Sequence, residues 1–366
     1  MAMNDEDFKL EKKYPEVEGP VLLMVLDGFG INADVEHNTV MRANEKTDFM
    51  YKKWEDEAKK FCLFSALAAH GFAVGLPDDG DMGNSEVGHN ALGSGQIVSQ
   101  GAKLVNESLA GEKPAMFQSD NWTEIKSTLE KTDGAALHLL GLLSNGGIHS
   151  NIAQLEIILK NCVKDKIPKV RLHVVTDGRD VAPDSHPQFM NQLEGILSEA
   201  NEKGLDYKIA SGGGRMYCIM DRYESDWNIV KRGWDAMVHG TIDKAIVSEL
   251  SDQYPGFFKS MKEWSDCVIP LFPNKLDQFY PPFVVVDDEN KPVGKVNDGD
   301  VVICFNYRGD RAIEISRAFT ESEEKFRGED GKGAFDRGVV PKCEYYGMLI
   351  YDSDQMIPKK SLAPNP

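Results

Sequence analysis

Ala135-Ala136-Leu137-His138-Leu139-Leu140-Gly141-Leu142-Leu143 is a continuous apolar run that breaks into a glycine-rich polar turn, Ser144-Asn145-Gly146-Gly147-Ile148-His149-Ser150. Beyond the turn, Ile152, Leu155, Ile158 and Leu159 recur at helical spacing. A short apolar run without alternation is the pattern of a strand buried on both faces, and such a strand followed by a helix is the repeating unit of a parallel sheet. The same order recurs along the chain. Val170 to Val175 ends in Thr176-Asp177-Gly178-Arg179-Asp180, and Tyr207 to Ala210 ends in Ser211-Gly212-Gly213-Gly214-Arg215, ahead of Met220-Asp221-Arg222. Val301 to Phe305 ends in Asn306-Tyr307-Arg308-Gly309-Asp310-Arg311 and opens a helix through Ile313, Ile315 and Phe319. Upstream, Val21 to Leu26 ends in Asp27-Gly28-Phe29-Gly30 in the same manner, and a helix is expected from Thr47. The alternation predicts an α/β protein with mostly parallel sheets. Gln253 to Gly299, richer in proline and turn residues, reads as an excursion from the sheet, and Tyr345 to Tyr351 as one more strand.

At 366 residues, 41% of them hydrophobic, the chain is long enough for two ordinary domains. The formal charge of −18, from 41 Lys+Arg against 59 Asp+Glu, argues against a nucleic-acid surface or an anionic membrane as partner. The leader from Met1 to Gly19 is charged, with no apolar core of signal-peptide length, and no run of 18 apolar residues occurs, so a cytoplasmic protein is expected. Cys62, Cys162, Cys218, Cys267, Cys304 and Cys343 are widely spaced without a CxxC pair, and read as reduced core residues.

In open α/β sheets ligands bind outside the carboxyl ends of the strands. There this acidic chain places Arg179, Arg215, Arg222, Arg308 and Arg311. The planar guanidinium fork matches phosphate and carboxylate, and five on one rim suit a small substrate bearing both; singly, each can instead pair with a neighbouring acid such as Asp180, Asp221 or Asp310. His149 closes a Gly-Gly turn and can act as acid or base near neutral pH. His138 and His173, inside apolar runs, read as core residues, while His70 and His89 stay open. In Asp81-Met82-Gly83-Asn84-Ser85-Glu86-Val87-Gly88-His89 a serine stands in front of a helix start, where unpaired N–H groups favour an anion and where a nucleophile can carry a phosphoryl group. The alternative is that Asn84 or Ser85 is only the helix N-cap. Asp27 suits a hard divalent cation such as Mn²⁺ or Mg²⁺, which Ser85 would share as an alkoxide, or else it caps its turn. There is no GxxxxGK[ST] loop, no GxGxxG after the first strand, no HExxH and no GxSxG elbow.

Taken in order, Val25 to Gly30, Gly83 to His89, Leu142 to Ser150, Thr176 to Asp180, Gly213 to Arg222 and Asn306 to Arg311 resemble the cofactor-independent phosphoglycerate mutases, in their eukaryotic, plant-like form. The resemblance runs from about Gly19 to Leu362. It implies an alkaline-phosphatase-like domain with an inserted transferase domain: a leader at 1–18, the N-terminal part of the phosphatase-like domain at 19–100, the substrate domain at 101–352, and a linker at 353–366. It further implies that Ser85 takes the phosphoryl group of 3-phosphoglycerate and returns it to the 2-hydroxyl, giving 2-phosphoglycerate without added 2,3-bisphosphoglycerate. By the same resemblance Asp27 and Ser85 bind one of two Mn²⁺ ions, with Mg²⁺ as a substitute, and His149, Arg179, Asp180, Arg215, Arg222, Arg308 and Arg311 hold the substrate. A monomer with a small-molecule substrate is expected, with no nucleic-acid or membrane partner. Gln96 stands where many members carry arginine. The family's further metal ligands and a substrate lysine lie in motifs this sequence does not contain, so the 366-residue chain alone is expected to bind phosphoglycerate weakly with little or no turnover; another phosphomutase or phosphatase of the superfamily is the alternative.

Overall fold

The computed structural model describes residues 18–26, 34, 36–38, 67–243, 253–328 and 333–363. Asp27 and the helix expected from Thr47 lie outside them. Compactness separates residues 1–67 from residues 68–366. In the first unit the run 21–26, expected as a buried strand, forms no strand, and its side chains are 45% to 81% exposed. A strand is stable only where a neighbour takes its N–H and C=O groups, and among the described residues none pairs with this one.

The second unit is built on a seven-stranded sheet with the order β4-β5-β3-β2-β1-β6-β7. Its strands are β1 (Leu137–Leu143), β2 (Lys169–Thr176), β3 (Asp206–Gly214), β4 (Phe257–Phe258), β5 (Phe283–Val285), β6 (Val301–Cys304) and β7 (Glu344–Gly347). All seven residues of β1 are buried, His138 among six apolar ones. Parallel pairing runs from β3 through β2, β1 and β6 to β7, with Leu137 opposite Val170 on one side and Val301 on the other. Leaving β1, the chain winds outward through β2 and β3, then returns to lay β6 and β7 on the far side. The strand order therefore reverses between β1 and β6, which makes their carboxyl ends the topological switch point where a crevice opens.

Residues 253–299 are not an excursion: β4 and β5 extend the sheet edge, β5 running antiparallel to β3 through Ser211–Val284 and Gly212–Phe283. The glycines that looked like turn chemistry thus lie inside β3. Gly212 permits the close approach, since a Cβ there would meet the Val174 carbonyl oxygen at 2.0 Å.

Helices cover both faces. On one side lie α2 (Gly101–Leu109), α3 (Asp120–Lys131), α4 (Ile152–Lys164), α5 (His186–Asn201) and α7 (Met261–Leu271), packed on Leu137, Leu139, Val170, Leu172, Val301 and Ile303. On the other lie α6 (Trp227–Trp234), α8 (Ile313–Thr320) and α9 (Glu323–Arg327), packed on Leu140, Leu142, Val175, Val302 and Cys304. The alternation along β1 is the two-residue period of a strand dividing its side chains between two cores. Ahead of them α1 (Ser85–Ser94) belongs to the same compact unit. Residues 353–363, expected as a linker, pack back: Leu362 and Ala363 are buried, Asn121 donates to the Ser361 carbonyl at 2.6 Å, and Lys360 joins Glu124 to Glu344. Cys162, Cys218, Cys267, Cys304 and Cys343 are free thiols. No helix of the described residues is long and apolar enough to cross a membrane.

Candidate active site

The loop after β6 and the turn after β1 are tied together at the switch point. Asn306 accepts from the Leu142 N–H at 2.9 Å, and the Tyr307 N–H donates to the His149 carbonyl at 2.8 Å. Residues 306–311 and 144–150 consequently form one rim, on which α1 sits. At its start Asn84 is extended (φ −145°, ψ 176°), and its side chain accepts from the Glu86 and Val87 N–H groups at 3.0 and 3.3 Å. Asn84 is the N-cap. Ser85 is the first helical residue, exposed and relieved of capping, and its Oγ accepts from Arg308 Nη2 at 3.2 Å. The serine and an arginine far along the chain therefore meet, as an anion-carrying nucleophile would require.

Arg308 is itself held by Glu86 (3.1 Å) and Asp310 (3.0 Å), and Asp310 also reaches Arg222 (3.4 Å). Arg215, 1% exposed, lies against Asp177 at 2.8 Å and against Asp180. Arg311, also buried, donates to the Met220 carbonyl at 2.6 Å. Burial, then the nearby Arg215 and Arg222, lower its affinity for its proton to a pKa of about 10, with Arg179 adding to the effect. Arg179 is exposed at the rim, on the turn where Gly178 adopts φ +69° and where a Cβ would meet Asp277 at 2.8 Å. Three of the arginines pair with acids, yet all five converge, and the acid foreseen beside Arg222, Asp221, instead accepts the Asp226 N–H at 2.8 Å.

His149 lies between the two ion-pair groups, 3.9 Å from Asp180 and 3.7 Å from Asp310. Its Nδ1 and the facing Asp310 Oδ1 are both buried without a hydrogen-bond partner. Burial, followed by the charges of Arg215, Arg308, Arg311 and Arg222, holds its pKa well below the usual histidine range. The imidazole is therefore neutral at pH 7, able to accept a proton or to hydrogen-bond a substrate hydroxyl. The carboxylates of Asp177, Asp180, Asp310 and Glu86 offset the charge of Arg215, Arg222 and Arg308 on this rim.

Asp177, 1% exposed, is the hub that residue-by-residue reading missed. It takes Ser144 Oγ at 2.6 Å, the N–H groups of Arg179 and Asp180 at 3.2 and 3.1 Å, and Arg215 at 2.8 Å. The signal was present: an acid at a strand's carboxyl end is the criterion that singled out Asp27. His138 and His173 are core residues as expected, linked as Asp300–His138–His173–Ser211 by contacts of 3.1, 2.8 and 2.7 Å. His89 turns its ring to the Ser85 carbonyl at 2.6 Å. Among the described residues no three His, Cys, Asp or Glu side chains gather as a metal site, and Asp27 is outside them. The donors on view do not make a Mn²⁺ site. A cleft of about 490 Å³ between α5, α7 and β5, lined by Glu194, Tyr207, Lys259 and Asp287, holds none of the residues of the arginine rim.

A family model described as BPG-independent PGAM N-terminus (iPGM_N) matches residues 107–353. The 2,3-bisphosphoglycerate-independent phosphoglycerate mutase of Trypanosoma brucei brucei is 44% identical over 94% of this chain and 57% of its own length. That of Nicotiana tabacum is 43% identical over all of this chain and 60% of its own. A crystal structure of Leishmania mexicana phosphoglycerate mutase, at low cobalt concentration, superposes with a TM-score of 0.79 and 40% identity over 93% of this chain and 57% of that one. The chain thus spans about three fifths of the length of the relatives it matches. By the family match, the identity and the shared fold, it belongs to the 2,3-bisphosphoglycerate-independent phosphoglycerate mutases.

Proposed function

We propose that this chain carries the substrate-holding side, and the phosphoryl acceptor, of an isomerase that interconverts 3-phosphoglycerate and 2-phosphoglycerate. The observation that carries this reading is the meeting of Ser85 Oγ with Arg308 at 3.2 Å on a rim where Arg179, Arg215, Arg222 and Arg311 converge. Ser85 Oγ loses its proton and gains a bond to phosphorus as the bond from phosphorus to the 3-oxygen breaks, and the released 3-oxygen takes up a proton to become the glycerate hydroxyl. The reverse transfer to the 2-oxygen regenerates the serine. Arg308 neutralises the phosphoryl oxygens beside Ser85, and the buried Arg215 and Arg311 suit the carboxylate and the hydroxyls. Neutral His149 suits proton exchange with a glycerate hydroxyl, and Asp177 and Asp180 keep Arg215 in place. A divalent cation, Mn²⁺ with Mg²⁺ as a substitute, would lower the serine's pKa. Ser85 and Asp27 are its proposed ligands. The same reading makes the enzyme glycolytic, cytoplasmic and monomeric, with no requirement for 2,3-bisphosphoglycerate.

Calorimetric titration of the 366-residue chain with 3-phosphoglycerate, with and without Mn²⁺, tests the proposal. Binding that falls at least tenfold in Arg308→Ala and in Arg311→Ala is expected, along with a phosphorylated Ser85 peptide by mass spectrometry if transfer to the serine proceeds. No binding, or binding indifferent to both arginines, overturns it. A coupled assay for 2-phosphoglycerate tells an enzyme from a chain that binds without turnover.

A further inference from the structure

Arg222 is carried on a turn with unusual backbone. Ile219, Tyr223 and Glu224 all have left-handed φ, at +54°, +62° and +56°, although none is glycine. Three such residues in six are strained, and persist only where surrounding contacts hold them. The contacts come from the segment after β6. Arg311 holds the Met220 carbonyl, Arg317 pairs with Glu224, and Glu314, in the first turn of α8, accepts the Glu224 N–H at 3.0 Å through Oε1. The other oxygen of Glu314, Oε2, is buried with no hydrogen-bond partner in a side chain only 3% exposed. Its side-chain neighbour is Asp221, 4% exposed and immediately before Arg222, whose own Oδ2 accepts the Asp226 N–H at 2.8 Å. Two buried carboxylates cannot hydrogen-bond each other unless one proton lies between them.

We propose that Glu314 is a positioning residue: it holds one proton in common with Asp221, and through it docks the 219–226 turn so that Arg222 faces the anion site. The function of Arg222 rests on the mutase reading, whereas the latch does not. The groups that face Glu314 are consistent with a shared proton. From the turn come Asp221 and Glu224, both of which raise its pKa, and Glu224 is occupied by Arg317. On α6, Lys231 is taken by Asp235 and Arg232 by the Tyr217 carbonyl, while on its own segment Arg311 is turned to Met220 and Arg317 also holds Glu321. Among the described residues these cations are all engaged elsewhere, so none of them favours two charges on the pair. Burial, opposed by the Glu224 N–H and helped by Asp221, pushes the Glu314 carboxyl up to about 7. A carboxyl titrating near there is mostly protonated at pH 6 and mostly charged at pH 8, so the latch opens across that range.

The Arg222–Tyr223 peptide bond is a tryptic site next to an exposed tyrosine, and it reports the latch without any ligand. In the 366-residue chain its cleavage rate, divided by that at the exposed Lys203–Gly204 turn, is expected to rise about tenfold from pH 6 to pH 8. Glu314→Gln, whose amide donates to Asp221 while its oxygen still accepts the Glu224 N–H, is expected to keep the ratio low and flat. Asp221→Asn, donating from the other side, should do the same and serves if the first variant does not fold. A flat ratio in the unmodified chain, or an undiminished rise in both variants, overturns the latch. Titration with 3-phosphoglycerate at the same pH values separates the two readings. Affinity that weakens with pH in the unmodified chain but not in Glu314→Gln ties the latch to Arg222, and equal weakening in both denies that tie. Absence of binding at either pH with the proteolytic rise intact overturns the mutase reading and leaves the latch standing.

Discussion

Asp177 serves four donors from one buried carboxylate, so replacing its charge is felt by several residues at once. Asp177→Asn is expected to lower stability by about 2 kcal/mol in urea unfolding, because Arg215 loses its fully buried counter-charge and keeps only Asp180. It should also weaken 3-phosphoglycerate binding. The histidines make a prediction with a definite sign. His138, His173 and His149 all have folded-state pKa values lowered chiefly by burial, so the unfolded chain binds more protons as pH falls through about 6.5. The stability they contribute is complete above that value and is lost progressively below it. The urea midpoint is expected to drop between pH 7.5 and pH 5.5, and a midpoint constant over that range would contradict the neutral assignments. At this scale the arginines were legible, because five guanidinium groups at strand ends of an acidic chain are hard to explain one by one. Which of them were paired was not legible: Asp310 serves both Arg222 and Arg308, an arrangement set by where the loop after β6 meets the 219–226 turn.

At the scale of the element, two adjacent residues capable of capping, Asn84 and Ser85, left the serine's role open in sequence. The extended backbone of Asn84 decides it, since the capping oxygen must come from the last non-helical residue. Asn84→Ala is expected to cost about 1 kcal/mol and to raise amide exchange across α1, while Asn84→Asp retains protection and adds favourable charge at the helix start. If Ser85 depends on that cap for its place beside Arg308, loss of 3-phosphoglycerate affinity should follow the loss of protection. Strands β1, β2, β3 and β6 were legible because each is mostly buried and carries a short, predominantly apolar run. Strands β4 and β5 were not. They are two and three residues long, and β5 owes its pairing to glycines in β3 that read locally as a turn.

At the scale of the whole molecule the exposed apolar run 21–26 predicts concentration-dependent association, seen as light scattering that a charge at its centre, Leu23→Lys, should diminish. Equal scattering from both chains would show that another surface associates. The sequence by itself determined the α/β class and the two faces of each central strand, and it set the expectation of an anionic ligand. Those follow from local periodicity and from residue types whose chemistry does not depend on their neighbours. Only the tertiary structure decided that the run 21–26 stays unpaired among the described residues, that residues 353–363 pack against the sheet, and that Ser85, Arg308, Asp310, Arg222 and His149 share one rim. Each of these depends on contacts between segments far apart in the chain. Strand order brings such segments together at the reversal between β1 and β6, and no local pattern encodes which loops will meet there.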